Sequence, residues 1–182
     1  MGDDVHSWAL DMAAELRQQA TAGQQVSAVD WSREAGNLFR ASVQASRIGR
    51  QLAEQVWQQH PQLRHSHFIA HSAGSFMAYA YCRQIKHLNP AIQVTTTYLD
   101  PASVHRGFDW NYGLRHFGDC ADHSEVLFHR GDGVPGSEEP LPQAHSLDVT
   151  AYKPADWHNG HLWPVQYYRQ RIQATARPPS SP

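Results

Sequence analysis

The stretch from His67 to Leu99 constrains the fold more than any other part of the chain. Residues 66–71 form a short apolar run, and Ser72 to Gly74 read as a tight turn. Residues 74–88 then repeat apolar side chains at helical spacing up to a stop near Pro90, and 92–99 turn β-branched and apolar again. Strand, helix and strand in so short a span is a crossover unit, and crossovers join parallel strands.

The alternation extends in both directions. Residues 3–20 read as a helix, with Trp8, Met12 and Leu16 four apart and Asp3 or Asp4 placed to cap its free N–H groups. Residues 25–31 follow the Gly23 break and read as a buried strand. The clearest helix covers 38–60: Phe39, Val43, Ile48, Leu52 and Val56 mark its apolar face, and Pro61 stops it. Further strands are expected at 125–129 and near 146–151, separated by a Gly/Pro-rich turn region at 131–142. A last helix begins at Pro164 and runs through Arg171. The expected fold class is therefore α/β, a mostly parallel sheet of four to five strands with helices on both faces. It forms one domain over 1–176, with a disordered tail at 177–182.

Composition narrows the function. A chain of 182 residues with 41% hydrophobic and 18% charged residues folds around a core. Net charge is −2 and its 15 basic residues are scattered, which argues against nucleic acid as a partner. No apolar run is long enough for a membrane span, and the N-terminus is acidic where a secretory leader would be basic. As written, the chain is expected in the cytoplasm; secretion would need a further N-terminal segment. Cys82 and Cys120 have no metal-ligand spacing and are expected as free thiols.

Ligands in parallel sheets sit beyond the carboxyl ends of the strands, and that rule singles out Asp30, Ser72, Asp100 and Asp132. The run Ala70-His71-Ser72-Ala73-Gly74 matches the G-x-S-x-G elbow with alanine for the first glycine. Small flanking residues let strand and helix pass closely while the serine hydroxyl projects from the turn. The helix N-terminus, starting with the Ala73 N–H, points partial positive charge at a developing oxyanion. A serine needs a base and a carboxylate to become a nucleophile. Asp100 and Asp132 both end strands after Ser72, and either could orient a histidine, although Asp132 in Gly-Asp-Gly is equally explained as a turn residue. His161, next to the last helix, is the chosen base, with His158 in reserve; His145 reads as structural.

Taken together, these pieces resemble the α/β-hydrolase superfamily, in the lipase branch that contains pancreatic lipase and related phospholipases. They are Val29–Ser32 (VDWS), Ile48-Gly49 inside the long helix, His67–Ser75 (HFIAHSAGS) and Leu99–Ala102 (LDPA). Gly160–Tyr168 (GHLWPVQYY) is similar to the C-terminal histidine motif of bacterial relatives. The resemblance implies Asp100 rather than Asp132 as the triad acid, His161 as base, and hydrolysis of acyl-lipid esters without a cofactor. It also implies three strands and a His-Gly loop ahead of the first helix, which this chain lacks. Residues 25–31 are then expected to move over and pair with 66–71, or a second copy to cover the open sheet edge. The second oxyanion donor of such enzymes is missing too, so turnover is expected to be slow.

Weaker signals remain. Phe108 and Trp110, in the aromatic connection 100–124, read either as an acyl-chain or cap contact or as packing within the crossover. His65, His67 and His71 share one strand face, but a buried strand offers a metal no path, and no metal is expected. The rival to a small-molecule or lipid ester hydrolase is a catalytically dead α/β module that binds lipid or a protein partner.

Overall fold

A computed structural model describes residues 7–31, 33, 38–134 and 136–176. The expected caps Asp3 and Asp4, Ser32 of the VDWS motif and the tail 177–182 lie outside the described residues. In chain order the elements are α1 (Ser7–Gln19), α2 (Leu38–Gln59), β1 (His65–His71), α3 (Gly74–Leu88), β2 (Gln93–Leu99), α4 (Tyr112–His116), β3 (His123–Phe128), β4 (His145–Asp148) and α5 (Trp163–Ala176). A single 3₁₀ turn, Thr150–Tyr152, follows β4, where strand was expected to continue.

Four strands form one sheet in the order β1-β2-β3-β4, all parallel. The register sets His71 opposite Leu99 and Leu99 opposite Leu127, so three strand ends share one rim. Side chains alternate between the faces. Phe68, Ala70, Tyr98, Val126 and Phe128 pack with Ala45, Phe76 and Met77 of α2 and α3. Ile69, Leu99, Leu127 and Leu147 pack on the other side with Met12 of α1 and with Trp163, Val165, Tyr168 and Ile172 of α5. Helices therefore cover both faces. The α1/α5 side is covered only toward the rim: His65, His67, His123 and His145, at the far ends of their strands, are exposed. That corrects the expectation of a wholly buried first strand.

Three further expectations are corrected. Residues 25–31 form no strand; the segment joins no ladder, and its Val26 carbonyl accepts from Arg17 Nε. Only Val29 and Trp31 reach the core, partly buried. A strand needs a ladder partner to satisfy its peptide groups, and this segment makes no ladder with β1, which remains an edge strand among the described residues. The α2 contact also differs. Ala41, Ala45, Gly49 and Ala53, spaced by four, are the side that meets α3, whereas Val43 is exposed. A Cβ on Gly49 would lie 2.3 Å from the Met77 carbonyl oxygen, so only glycine permits this approach. Finally, Cys82 of α3 and Cys120 after α4 are not free thiols but a disulfide, with Cα atoms 6.0 Å apart. No described helix is long and apolar enough to cross a membrane.

Candidate active site

The turn from β1 into α3 holds Ser72 at φ +52°, a left-handed conformation that a non-glycine residue adopts only when its surroundings impose it. Here the backbone is pinned from three sides. The Ser72 N–H donates to the Leu99 carbonyl at 3.1 Å, and the Ser72 carbonyl accepts from the N–H groups of Ser75 at 3.1 Å and Ala102 at 3.2 Å. Ala73 follows in helical geometry, and its N–H has no backbone partner among the described residues. Alanine at position 70 is accommodated easily: even a Cβ added to Gly74 would sit 3.8 Å from Ala70 Cβ, ordinary contact. The crossing of strand and helix is thus roomier than a strict glycine pair requires.

One strand over, Asp100 repeats the device at φ +48°. Its N–H donates to Leu127 and its side chain is fully buried. Asp100 Oδ1 accepts the His129 peptide N–H at 2.9 Å, and Oδ2 accepts His161 Nδ1–H at 2.6 Å. Asp132, in the loop after β3, also reaches the same ring: its Oδ2 lies 3.0 Å from His161 Nδ1, and its side chain is buried as well. Asp132 Oδ1 accepts the Val134 N–H at 2.8 Å and the Ser137 hydroxyl at 3.1 Å. Both candidate acids therefore converge on His161, and the choice between them that the sequence left open is not an exclusive one in the structure.

His161 sits in the loop entering α5. Its carbonyl accepts His71 Nε2–H at 2.9 Å, and the two imidazoles lie 4.5 Å apart. Gly160 lets this loop press on the neighbouring strand end, since a Cβ there would meet the His129 ring at 2.9 Å. With Nδ1–H committed to the carboxylates, the other ring nitrogen, Nε2, carries the basic lone pair. Among the described residues neither His161 Nε2 nor Ser72 Oγ has a hydrogen-bond partner. Catalytic contacts of this kind often tighten only when substrate is bound.

Burial sets the protonation pattern. Desolvation, reinforced by the neighbouring Asp132, pushes the Asp100 carboxyl up to about 7 despite the His161 hydrogen bond. Burial pushes Asp132 up as well, but hydrogen bonds from Asp100, the Val134 N–H and His161 outweigh it and leave it below the usual carboxylate value. For His161, desolvation is outweighed by the two carboxylates, which raise it. His71 goes the other way: burial, helped by His161, lowers it to about 3. The donor atoms of Asp100, Asp132 and His161 lie within 4.8 Å of one another, a spacing that would suit a cation. A ring proton shared at 2.6 and 3.0 Å satisfies the same atoms.

Other expected residues are placed elsewhere. His158 is exposed and makes no contact with this cluster among the described residues, and His145 is exposed at the start of β4. Phe108 lies within the turn closed by the His105–Asp109 bridge and Trp110 just after it, 88% and 59% exposed. Two contributors were not read from the sequence as site residues, His129 and Ser137. Neither has a local signal: one looks like a strand end, the other like a turn serine.

Fold and site together define a class: a parallel α/β sheet whose carboxyl rim gathers a left-handed serine, a histidine and two aspartates. No family model, no curated protein and no solved structure matches this chain.

Proposed function

We propose that this protein is a carboxylic-ester hydrolase of the α/β-hydrolase type, working through Ser72, His161 and Asp100. The observation that carries this reading is a conjunction. A serine forced to positive φ at a strand-to-helix turn adjoins, through its N–H bond to Leu99, the buried aspartate that anchors a late-chain histidine. Strain of this kind collects at functional sites, and a structural turn serine has no use for an imidazole tethered next door.

In the proposed reaction His161 Nε2 takes the Ser72 hydroxyl proton as Oγ adds to the ester carbonyl. The resulting imidazolium is balanced by the carboxylate on Nδ1, and the Ala73 N–H at the start of α3 binds the oxyanion. Collapse expels the alcohol with the proton from Nε2 and leaves an acyl-serine. Water, deprotonated by the same nitrogen, then releases the acid. A donor of this kind is worth about a hundred- to a thousandfold in rate, and short activated esters, which depend on it least, are the substrates of choice for detecting turnover. The buried Cys82–Cys120 bond supports an oxidising compartment over the cytoplasm. The unpaired edge of β1 supports a second strand, from another copy or another segment, docking there.

A fluorophosphonate probe and a p-nitrophenyl ester series, applied to the protein and to Ser72→Ala, test the reading. Labelling that maps to Ser72 and vanishes in the variant is expected. An unmutated protein that neither labels nor hydrolyses would leave a binding module without turnover as the better account.

A further inference from the structure

We propose that His161 is held by a pair of carboxylates sharing one proton, so that Asp132 is a second positioning residue of the site and not a turn residue that happens to lie near it. This rests on the hydrolase reading for its catalytic meaning, but the pair itself is a statement about Asp100, Asp132 and one imidazole.

Turn chemistry accounts for only half of Asp132. Its Oδ1 caps the loop through Val134 and Ser137, whereas Oδ2, 3.2 Å from the same Ser137 hydroxyl, also reaches His161 Nδ1 at 3.0 Å. Asp100 Oδ2 occupies the other side of the same N–H at 2.6 Å, and both side chains are shut off from solvent. One ring proton cannot satisfy two buried anions. Among the described residues no lysine or arginine is bonded to either carboxylate to offset the surplus charge. The remaining groups around His161 do not help. From β1, His71 is neutral and donates Nε2–H to the His161 carbonyl. Beyond the end of β3, His129 gives its peptide N–H to Asp100, while neither nitrogen of its buried ring has a partner. The Ser137 hydroxyl donates to Asp132. Like charges so placed are relieved when one carboxyl keeps its proton and donates it to the other. Asp100, the more deeply desolvated of the two and pushed up to about 7, is the holder, and Asp132 the anion.

The balance is simple. In the resting state the cluster is Asp100 carboxylic acid, Asp132 carboxylate and neutral His161 with its proton on Nδ1, net −1. When Nε2 accepts the Ser72 proton, the imidazolium meets that single negative charge and the cluster becomes neutral. Either aspartate can hold the Nδ1 tautomer, so removing one leaves the other in place.

The test is an NMR titration of ¹³C,¹⁵N-labelled protein, following the His161 ring and the aspartate carboxyl carbons, for the unmutated chain, Asp132→Asn, Asp100→Asn and the double variant. Asparagine keeps the Oδ1 acceptor for Val134 and Ser137, so the loop survives. The unmutated protein is expected to show one carboxyl of the pair titrating near neutrality. In either single asparagine variant that near-neutral titration is expected to disappear, because the remaining carboxyl ionises with no like charge beside it. The His161 midpoint is expected to fall by about 1 pH unit or more only in the double variant, the usual size for removing an adjacent buried charge. Probe labelling of Ser72 adds the catalytic readout. Each single variant is expected to lose less than about a hundredfold, and the double about ten-thousandfold, the loss known for a histidine left without its orienting carboxylate.

A near-neutral carboxyl titration that persists unchanged in Asp132→Asn, or the full loss already present in Asp100→Asn, would overturn the pair. Should the titrations behave as expected in a protein that the probe never labels, the pair stands and only the hydrolase reading falls.

Discussion

Protonation at single residues makes this rim sensitive to acid. His71 binds a proton only near pH 3 in the folded chain, because burial beside His161 disfavours the imidazolium, whereas an unfolded histidine protonates near 6.5. The folded state therefore binds fewer protons than the unfolded one between these values. Its stabilising contribution is complete above about pH 6.5 and drains away as pH falls toward 3, by an amount on the order of a few kcal/mol. Asp100 works in the opposite sense. Its folded carboxyl stays protonated up to about 7 while an unfolded aspartate ionises near 3.8, so through this group stability rises as pH drops from 7 toward 4. Urea denaturation of the unmutated protein and of His71→Gln at pH 7.5 and 5 separates the two. Glutamine retains a donor for the His161 carbonyl but cannot titrate. The change in stability from pH 7.5 to 5 is expected to be less favourable in the unmutated chain than in the variant, and equal changes would show that His71 is solvated enough to protonate in place.

At the scale of elements, the helix pair α2 and α3 shows what sequence periodicity conveys and what it omits. The boundaries of α3 and the strand–turn–helix at Ser72 were legible because Gly74, Pro90 and the apolar runs act locally. The packing side of α2 was legible only in part. Ile48, Leu52 and Val56 pack against the core as expected and Val43 does not, yet the close contact is made by Ala41, Ala45, Gly49 and Ala53, whose smallness matters only against a partner helix. Residues 25–31 mislead for a related reason: β-branched composition signals a strand, but a strand exists only where a neighbour supplies a ladder. In the same way His161 and Asp100 were readable as chemistry, while the convergence of Asp132 and the pressure of Gly160 on His129 depend on loops meeting across the rim. The α2 contact yields a sign reversal. Gly→Ala inside a helix normally stabilises by about 1 kcal/mol. At Gly49 the added methyl would meet the Met77 backbone at 2.3 Å, and overpacking of this kind costs about 1–3 kcal/mol. Gly49→Ala is expected to lower the urea midpoint, with exposed Gln51→Ala as the neutral control; a stabilised Gly49→Ala would mean that the helices separate without penalty.

Across the whole molecule, the Cys82–Cys120 bond ties the middle of α3 to the segment that delivers β3, and so joins the serine-bearing helix to the strand preceding Asp132. The two cysteines are 38 residues apart in sequence, and closing a loop of that length in the unfolded chain is worth about 2–4 kcal/mol of folded stability. Cys82 is wholly buried and Cys120 partly so, and full access for a reductant requires α3 to separate from the loop after α4. Two consequences can be measured together. Thermal melting in the presence of a strong phosphine reductant is expected to occur at lower temperature than under oxidising conditions, as is melting of the Cys82→Ala, Cys120→Ala double variant without reductant. Mass spectrometry after brief native reduction is expected to show the bond still intact, because access requires opening. If the oxidised protein and the double variant melt together, the sheet and its helices hold this region in place unaided. The disulfide would then be incidental to the fold, and its support for an oxidising compartment would lapse with it.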